Sequence, residues 1–467
     1  LIKTRADLHG TIGERIERSF PDLCDTAPSR LAQHFELSGN DARALHYRIL
    51  AAQRAQKSFA NDEALAHIAK GEELVSRLEE GSERIEAELT LTNLQGMILL
   101  SSRGYTNPEV RAAFERAIEL SENVDNSPEL FATIVGLWMY YLIKAEYAQA
   151  MEIAQRLLAM AQESGYPPEL LQAHYCIGYS SYFQGAIEQS VESFRVAISH
   201  DLAGHDYCQQ TPIRDDSRVH AYFMLALSLW LKGAPDEATE AVDRAVQFAE
   251  DGDQPYARMW AHYQHTFLCH MRRDFDAMAE QAERMREIAA QKGFFFFIPL
   301  AQFFLATCIE DHGERLKALK EHHEKIMAAG ARSSATYMKT VIIDDMIDQG
   351  ELDEARALMV ETRELMDTRH EELFKSEYLR LEARLLSVTE APEHAEKVED
   401  LLTQSVSFSR EISNAPMALR SALALYEATA HSAESVLLLR QIIDSYQSPD
   451  DTDEFLSASR ITATNTK

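Results

Sequence analysis

A repeat of nearly constant length limits the possible folds of this chain more than any other feature of its sequence. Equivalent small or aliphatic residues recur at Val110, Ala150, Ser190, Ala238, Met278, Ala318 and Ala355. Successive members of this series are 40, 40, 48, 40, 40 and 37 residues apart. A unit in a stacked array needs to match only its neighbours, so this drifting spacing is typical of helical hairpins stacked in a row. The longest step contains residues 200–217, whose Gly, Asp and Pro residues predict an inserted loop.

Glycines mark the predicted break between the two helices of a hairpin, where a helix C-cap needs a positive φ. They are Gly185, Gly233, Gly313 and Gly350. The 18 glycines and 13 prolines are about 7% of the 467 residues, against roughly 12% in average proteins. That is too few for the turns of a β-rich fold, while breaks at short intervals exclude a long coiled coil. We therefore predict an all-α fold, an α-solenoid of antiparallel helical hairpins with a period of about 40 residues.

The charge of the chain restricts its partners. With 46 Lys and Arg against 75 Asp and Glu, the formal charge is −29. Such a field repels phosphate backbones and anionic lipid headgroups, so we expect no nucleic-acid partner and no membrane insertion. The five cysteines are widely spread and lack a CxxC pair, which predicts buried thiols in a reducing cytoplasm rather than a disulfide framework.

Sequence motifs for catalysis are missing from the chain. It contains no GxxxxGK[ST], GxGxxG, GxSxG or HExxH. The densest group of potential metal ligands, His200, Asp201, His205, Asp206 and Cys208, is interpreted as a polar, solvated loop rather than a metal site. We therefore predict no catalytic residues, no cofactor, no metal site and no enzymatic activity for this chain.

The repeat units resemble tetratricopeptide (TPR) repeats, which have a small residue in the first helix, Gly at the break and Ala in the second helix. The segments ALSLWLKGAPDEA, MRRDFDAM, AAQKGFFFFIPLAQFFLATCIEDHG and SEYLRLEARLL occur in that order. They are similar to the C-terminal region of bacterial signalling proteins with a class III adenylate/guanylate cyclase or other output domain followed by a STAND/AAA-type ATPase. The segment LHGTIGERIERSFPD resembles the end of the ATPase module's winged-helix or arm region.

This resemblance implies a right-handed superhelix and a domain organisation. Residues 1–27 would be the end of the upstream ATPase or winged-helix-like region or a capping helix. Residues 28–447 would be the TPR-like array. The acidic and polar residues of 448–467 themselves predict a frayed C-terminal tail. Neither the cyclase nor the nucleotide-binding core is in this chain, although the parent protein would be an ATPase or a cyclase.

The resemblance also implies a candidate binding surface, because the first helices of TPR hairpins line the concave face. The residues at those positions are Tyr175, Tyr179, Tyr182, Phe223, Trp230, Trp260, Tyr263, Phe267, His270 and Phe303. If exposed, these mainly aromatic side chains would bind a peptide, a helix or a flat apolar ligand. The alternative is that tight superhelical curvature packs them as core. In Phe294–Phe297, four consecutive aromatics cannot all face inward from one helix.

Three functional hypotheses follow. The leading one is an interaction and regulatory module that senses a protein, peptide or small ligand, contacts the upstream ATPase or cyclase domains, or self-associates. The second is the inducer-binding sensor of a maltose-activator-like transcription regulator. Such a regulator would end in a basic helix-turn-helix, whereas this chain ends in an acidic, polar stretch. The third, a stand-alone enzyme, lacks any catalytic constellation.

Overall fold

The computed structural model of the chain describes residues 2–58, 60–103, 108–121, 128–210, 215–252, 254–388 and 394–464. These residues form 24 α-helices and no strand, which confirms the predicted all-α, TPR-like solenoid. None of the described helices combines the length with the apolar character that a bilayer span requires. The chain divides into two compact units, residues 1–140 and residues 141–467.

The first unit begins with a helix that covers the first hairpin. Its helices are α1 (Ile2–Ser19), α2 (Pro21–Thr26), α3 (Pro28–Ser38), α4 (Asp41–Lys57), α5 (Asn61–Val75), α6 (Ser82–Arg103), α7 (Pro108–Ser121) and most of α8 (Pro128–Ile143). Gly13 of α1 lies so close to the Phe35 ring that an added Cβ would be 2.9 Å from it. The Tyr47 hydroxyl of α4 donates a hydrogen bond to Glu17 of α1 at 2.8 Å. Helix α1 therefore packs as a cap on α3 and α4.

The second unit is an array of seven hairpins between α9 and the last helix. Its helices are α9 (Tyr147–Ser164), α10 (Pro167–Phe183), α11 (Ile187–Ser199), α12 (Ser217–Leu231), α13 (Pro235–Asp251), α14 (Pro255–Arg272), α15 (Phe275–Lys292), α16 (Phe297–Ala306), α17 (His312–Ala328), α18 (Ala335–Gln349), α19 (Leu352–Arg369), α20 (Lys375–Ser387), α21 (Ala395–Glu411), α22 (Ala415–Ala428), α23 (Ala433–Ile443) and α24 (Asp453–Thr464). Each even-numbered helix from α10 to α22 packs against the helix that follows it.

The predicted repeat register matches the helices. All seven positions from Val110 to Ala355 fall in odd-numbered helices, from α7 to α19, and six are buried, while Ala318 is half-buried. The small residue of the first helix allows close packing, as expected. A Cβ added to Gly178 of α10 would be 2.8 Å from the ring of Phe194 in α11.

Three of the four predicted glycine breaks are confirmed and one is wrong. Gly185, Gly233 and Gly350 have φ values of +76°, +79° and +76°. Gly313 instead lies in the first turn of α17, because Asp311 caps that helix by accepting a hydrogen bond from the Glu314 backbone N–H at 2.8 Å. An aspartate cap thus starts this helix earlier than the glycine pattern predicts.

The C-terminal segment differs from the expected frayed tail. Residues 453–464 form α24, in which Phe455 and Ala458 are buried in one core cluster with Leu419 and Ala422 of α22 and Leu439 of α23. The apolar positions of this short segment have helical spacing, so it gains stability by burying one face. The domain boundaries at residues 27/28 and 447/448 remain predictions.

The inserted loop is anchored rather than fully solvated. No helix occurs between Ser199 and Ser217 in the described part, and residues 211–214 lie outside the described residues. Tyr207 is 1% exposed, and its hydroxyl donates a hydrogen bond to the backbone carbonyl of His200. Across the described residues, no three His, Cys, Asp or Glu side chains gather where they could hold a metal ion.

The cysteines and the four consecutive phenylalanines have mixed environments. All five cysteines are free thiols, but only Cys176 and Cys269 are buried, and Cys308 is exposed. The expectation of buried thiols is therefore wrong for Cys308. Phe294 and Phe297 are buried, whereas Phe295 is 67% exposed, which confirms that the four rings do not all face inward.

Candidate functional site

Within residues 141–467, consecutive turns of the superhelix touch each other. The Tyr147 hydroxyl donates to the Ser333 carbonyl at 3.4 Å, and these residues are 186 positions apart. The Arg332 backbone N–H donates to the Ile143 carbonyl at 2.9 Å. One turn further along, a Cβ at Gly185 would be 3.2 Å from Glu372. The interior of this unit is therefore narrow and lined by helices from both halves of the unit.

Most of the predicted concave-face residues pack inside this unit. Seven are at most 8% exposed: Tyr175, Tyr182, Phe223, Trp230, Trp260, Phe267 and Phe303. The other three, Tyr179, Tyr263 and His270, are half-buried. Of the two alternatives that the sequence left open, these seven residues follow packing as core, and the partner-binding role of the set remains a prediction.

Four of these aromatics meet at a cavity of about 20 Å³. Tyr179 and Tyr182 of α10 and Tyr263 and Phe267 of α14 line it, opposite Tyr337 of α18 and Phe374. The buried hydroxyl of Tyr182 has no hydrogen-bond partner among the described residues. A cavity of this size accommodates about one water molecule, so it is too small for an organic ligand.

A larger cavity of about 250 Å³ lies where α14, α17, α18, α20 and α22 converge, and we call it the arginine pocket. Its charged lining consists of Arg273, Arg315, Asp344, Asp345, Asp348, Glu377 and Arg420. Its apolar lining consists of Met271, Phe275, Leu319, Val341, Leu373, Phe374 and Met417. Of the predicted site residues, only His270 lines this pocket.

The acidic residues of the arginine pocket are held by arginines. Arg315 contacts Asp345 at 2.5 Å, and Arg380 donates to Glu377 at 2.7 Å. Burial alone would raise the pKa of Glu377, but Arg380, Arg420 and Arg273 outweigh it and lower that pKa to about 2. Glu377 is therefore ionised at neutral pH. Charged pairs of this kind were not expected inside the array.

Arg273 and Arg420 share a single carboxylate, that of Glu454. The Nε of Arg273 is 3.3 Å and the Nε of Arg420 is 3.1 Å from the same oxygen, Oε1. Arg420 is fixed further because its Nη2 donates to the Met271 carbonyl at 3.1 Å. The nearby charge of Arg420, followed by burial, lowers the pKa of Arg273. Two like charges are therefore held side by side by one carboxylate, with the ionised Glu377 nearby.

His270 is neutral in this environment. Burial, followed by the charges of Arg420 and Arg273, lowers its pKa to about 3. Its Nδ1 lies 2.5 Å from the Tyr337 hydroxyl, which lies between the arginine pocket and the small aromatic cavity. The arginines of the pocket are paired with carboxylates, so they could hold an anionic group only in place of one of these partners, beside the apolar side chains of the lining.

The charged residues of the pocket were missed, although the register rule could have found several of them. The concave-face positions of α10 lie six and three residues before Gly178 and one residue after it, and the same offsets from Ala383 of α20 give Glu377, Arg380 and Arg384. Applied to α18 around Ile343, they give Tyr337, Thr340 and Asp344. The predicted residues are mainly aromatic, and the last of them, Phe303, lies in α16.

Comparison with known proteins gives a distant relative and remote structural similarities. No protein-family model matches the chain. It is 23% identical over 264 residues to "Uncharacterized protein R02095" of Rhizobium meliloti (strain 1021), an alignment that covers 56% of this chain and 25% of that protein. This chain thus spans about a quarter of the length of the relative it matches.

Three solved structures with low sequence identity cover most of the chain. The crystal structure of a Rap protein complexed with competence and sporulation factor is 12% identical, covers 84% of this chain and 99% of its own, and has a TM-score of 0.38. The human IFIT1 dimer with PPP-AAAA is 13% identical, with coverages of 99% and 94% and a TM-score of 0.41. Yeast Tom70 is 11% identical, with coverages of 98% and 96% and a TM-score of 0.32. The TPR-like fold itself rests on the helices and packing described above.

Proposed function

We propose that this chain is the binding and regulatory repeat region of a larger bacterial signalling protein. In this proposal the array binds a protein, peptide or small ligand in the cytoplasm and biases a nucleotide-dependent output domain, a STAND/AAA-type ATPase or a class III adenylate/guanylate cyclase. The sequence resemblance supports the parent architecture. The length of the bacterial relative, about four times the aligned segment, is consistent with it.

The single observation that carries a binding role is the arginine pocket, because it is assembled from distant parts of the chain. Its lining runs from His270 to Arg420 and includes residues of α14, α17, α18, α20 and α22. A ligand that touches all of these helices would change the relative stability of conformations of the superhelix that differ in the angles between hairpins. Differential affinity of that kind is what allows binding at one site to bias another.

The test compares nucleotide turnover by the longer protein with turnover by a version that lacks the repeat array. We expect the basal rate or its response to cell extract to change when the array is removed. An Arg420→Lys variant should shift the response in the same direction, whereas Arg286→Lys, at an exposed pair with Glu283, should not. Unchanged output on deletion would contradict the regulatory role.

A second measurement separates regulation from intrinsic catalysis. The isolated chain, incubated with ATP or GTP, should show no turnover above a heat-denatured control. Sustained turnover would overturn the proposal in favour of an enzyme. Native mass spectrometry of the same preparation determines whether the array also self-associates.

A further inference from the structure

Glu454 holds the arginine pair at the edge of the arginine pocket as a ligand would. Its carboxylate comes from the first turn of α24, and it binds Arg273 and Arg420 through the same oxygen. The side chains of Arg420 and Glu454 are 14% and 15% exposed, whereas that of Arg273 is 45% exposed. One arginine of the pair is thus accessible from solvent while its carboxylate partner is part of the chain itself.

The pocket offers apolar surface next to this pair. Phe275 lines the cavity and is 44% exposed, and Met271 and Met417 line it from α14 and α22. A volume of about 250 Å³ is slightly below the range of about 300–1,000 Å³ for small-molecule sites. The matching ligand has one carboxylate and an apolar body about the size of one or two amino-acid residues.

We propose that the arginine pocket binds an apolar carboxylate, such as the C-terminal end of a short peptide, in exchange for Glu454, and that this exchange releases α24. Arginine and carboxylate form strong, geometrically specific pairs, so an incoming carboxylate can replace Glu454 without leaving either arginine unpaired. The inference rests on the proposed function, and it adds the class of ligand and the segment that responds.

The contacts of α24 suit a segment that can be released. Phe455 and Ala458 are buried together with residues of α22 and α23, Arg440 of α23 donates to the Thr462 carbonyl at 3.0 Å, and Arg420 and Arg273 hold the first turn through Glu454. A 12-residue helix is marginal without tertiary contacts, so loss of the Glu454 contacts weakens the whole element. Ligand binding would therefore be read out as a change in the C-terminal segment.

The test uses the full chain and two matched probes, N-acetyl-leucyl-phenylalanine as the free acid and as its C-terminal amide. Isothermal titration calorimetry measures binding, and hydrogen–deuterium exchange measures protection of residues 453–464. We expect saturable binding of the acid, binding of the amide weaker by at least about tenfold, and faster exchange in α24 when the acid is bound.

Variants test the exchange itself. Glu454→Gln removes the internal competitor, so affinity for the acid should rise by about tenfold, and α24 should exchange faster even without the probe. Glu283→Gln, which removes an exposed carboxylate paired with Arg286, is the matched control and should change neither quantity. Arg273→Gln should reduce the affinity for the acid to that for the amide.

Several results would overturn the inference. They are absence of saturable binding of the acid at millimolar concentration, equal binding of acid and amide, unchanged exchange in α24 at saturation, or equal affinities for the acid in Glu454→Gln and Glu283→Gln. Circular dichroism of each variant establishes that the helices are intact. If the longer protein still loses its regulation when the array is deleted, the proposed function stands and only this ligand assignment fails.

Discussion

At the scale of single residues, Glu371 is an unusual titratable group, since its side chain is acidic yet only 1% exposed near the contact between superhelical turns. Burial raises its pKa to about 7, against the smaller effects of the hydrogen bond from Thr336 and the charge of Arg369. The folded state thus binds a proton more tightly than the unfolded state. The contribution of Glu371 to the free energy of unfolding is fully present below pH 4.5, and it is lost as the pH rises through about 7.

We predict that Glu371→Gln stabilises the protein increasingly as pH rises. The amide stays neutral and can still accept from Thr336, so the variant avoids the cost of a buried charge. The free energy of unfolding of the variant minus that of the wild type should grow by up to about 3 kcal/mol between pH 4.5 and pH 8. Urea unfolding followed by circular dichroism at several pH values measures this difference.

Glu283→Gln is a control for which we expect a change in the free energy of unfolding of the opposite sign. The hydrogen bond from Arg286 lowers the pKa of the exposed Glu283, so this carboxylate contributes stability at neutral pH that is lost as pH falls through its folded pKa. The variant should therefore be slightly less stable than the wild type at pH 7 and approach it in acid. A pH-independent difference for Glu371→Gln would contradict the assigned ionisation.

At the scale of elements, the packing of a hairpin depends on the small residue in its first helix. We predict that Gly178→Ala destabilises the protein, because the new Cβ would lie 2.8–3.0 Å from three atoms of the buried Phe194 ring. Overpacking costs about 1–3 kcal/mol, which exceeds the gain of about 1 kcal/mol from replacing a helical glycine. Thermal unfolding of the variant should therefore begin at a lower temperature.

A second substitution checks that the clash is the cause. Phe194→Leu removes the ring, so adding Gly178→Ala to that background should cost much less than in the wild type. Gly81→Ala, at a glycine with no heavy atom within 4 Å of the new Cβ, should leave stability nearly unchanged. Equal penalties for Gly178→Ala in both backgrounds would exclude the Phe194 clash.

The C-terminal segment is also held by Asp450, which contacts residues of α12 and α14. Its side chain is 1% exposed, accepts a hydrogen bond from Trp230 Nε1 at 3.1 Å, and lies 3.6 Å from Arg272. We predict that Asp450→Ala lowers the free energy of unfolding by about 1–3 kcal/mol, because the buried indole N–H loses its acceptor. Asp451→Ala, at a side chain that is 85% exposed, should cost less than about 1 kcal/mol. Equal costs would contradict an anchoring role for Asp450.

Elements of this fold could be predicted from sequence because a hairpin depends on residues close to one another. Gly178 and Ser190 belong to one hairpin, and their spacing alone places them in its two helices. The same reasoning failed at Gly313, where Asp311 offers a competing start for the helix. It also failed at α24, since burial of Phe455 against α22 depends on tertiary packing rather than on repeat spacing.

At the scale of the whole molecule, the contacts between superhelical turns could not be predicted from the repeat pattern. Whether Trp230 meets Asp450, 220 residues away, depends on the small rotation that each hairpin adds, and those rotations accumulate over several repeats. Repeat spacing reports only which helices are neighbours. The repeat pattern could therefore place the predicted aromatics on the inner face. It could not predict that they are buried, or that a charged pocket lies beside them.

These contacts lead to a prediction that separates a closed array from an open one. In residues 141–467, the segment after α23 touches the early repeats: the Gln447 N–H donates to the Gly233 carbonyl at 2.7 Å, and Tyr446 covers Gly233. In an open solenoid each repeat depends only on its neighbours, so removal of residues 446–467 would weaken only α22 and α23. Here we expect hydrogen–deuterium exchange to become at least about tenfold faster in α12 and at the end of α14 as well.

Helix α17 provides the internal control, since its protection should not change. If the loss of protection were confined to α22 and α23, the superhelix would not be closed by its C-terminal segment in solution.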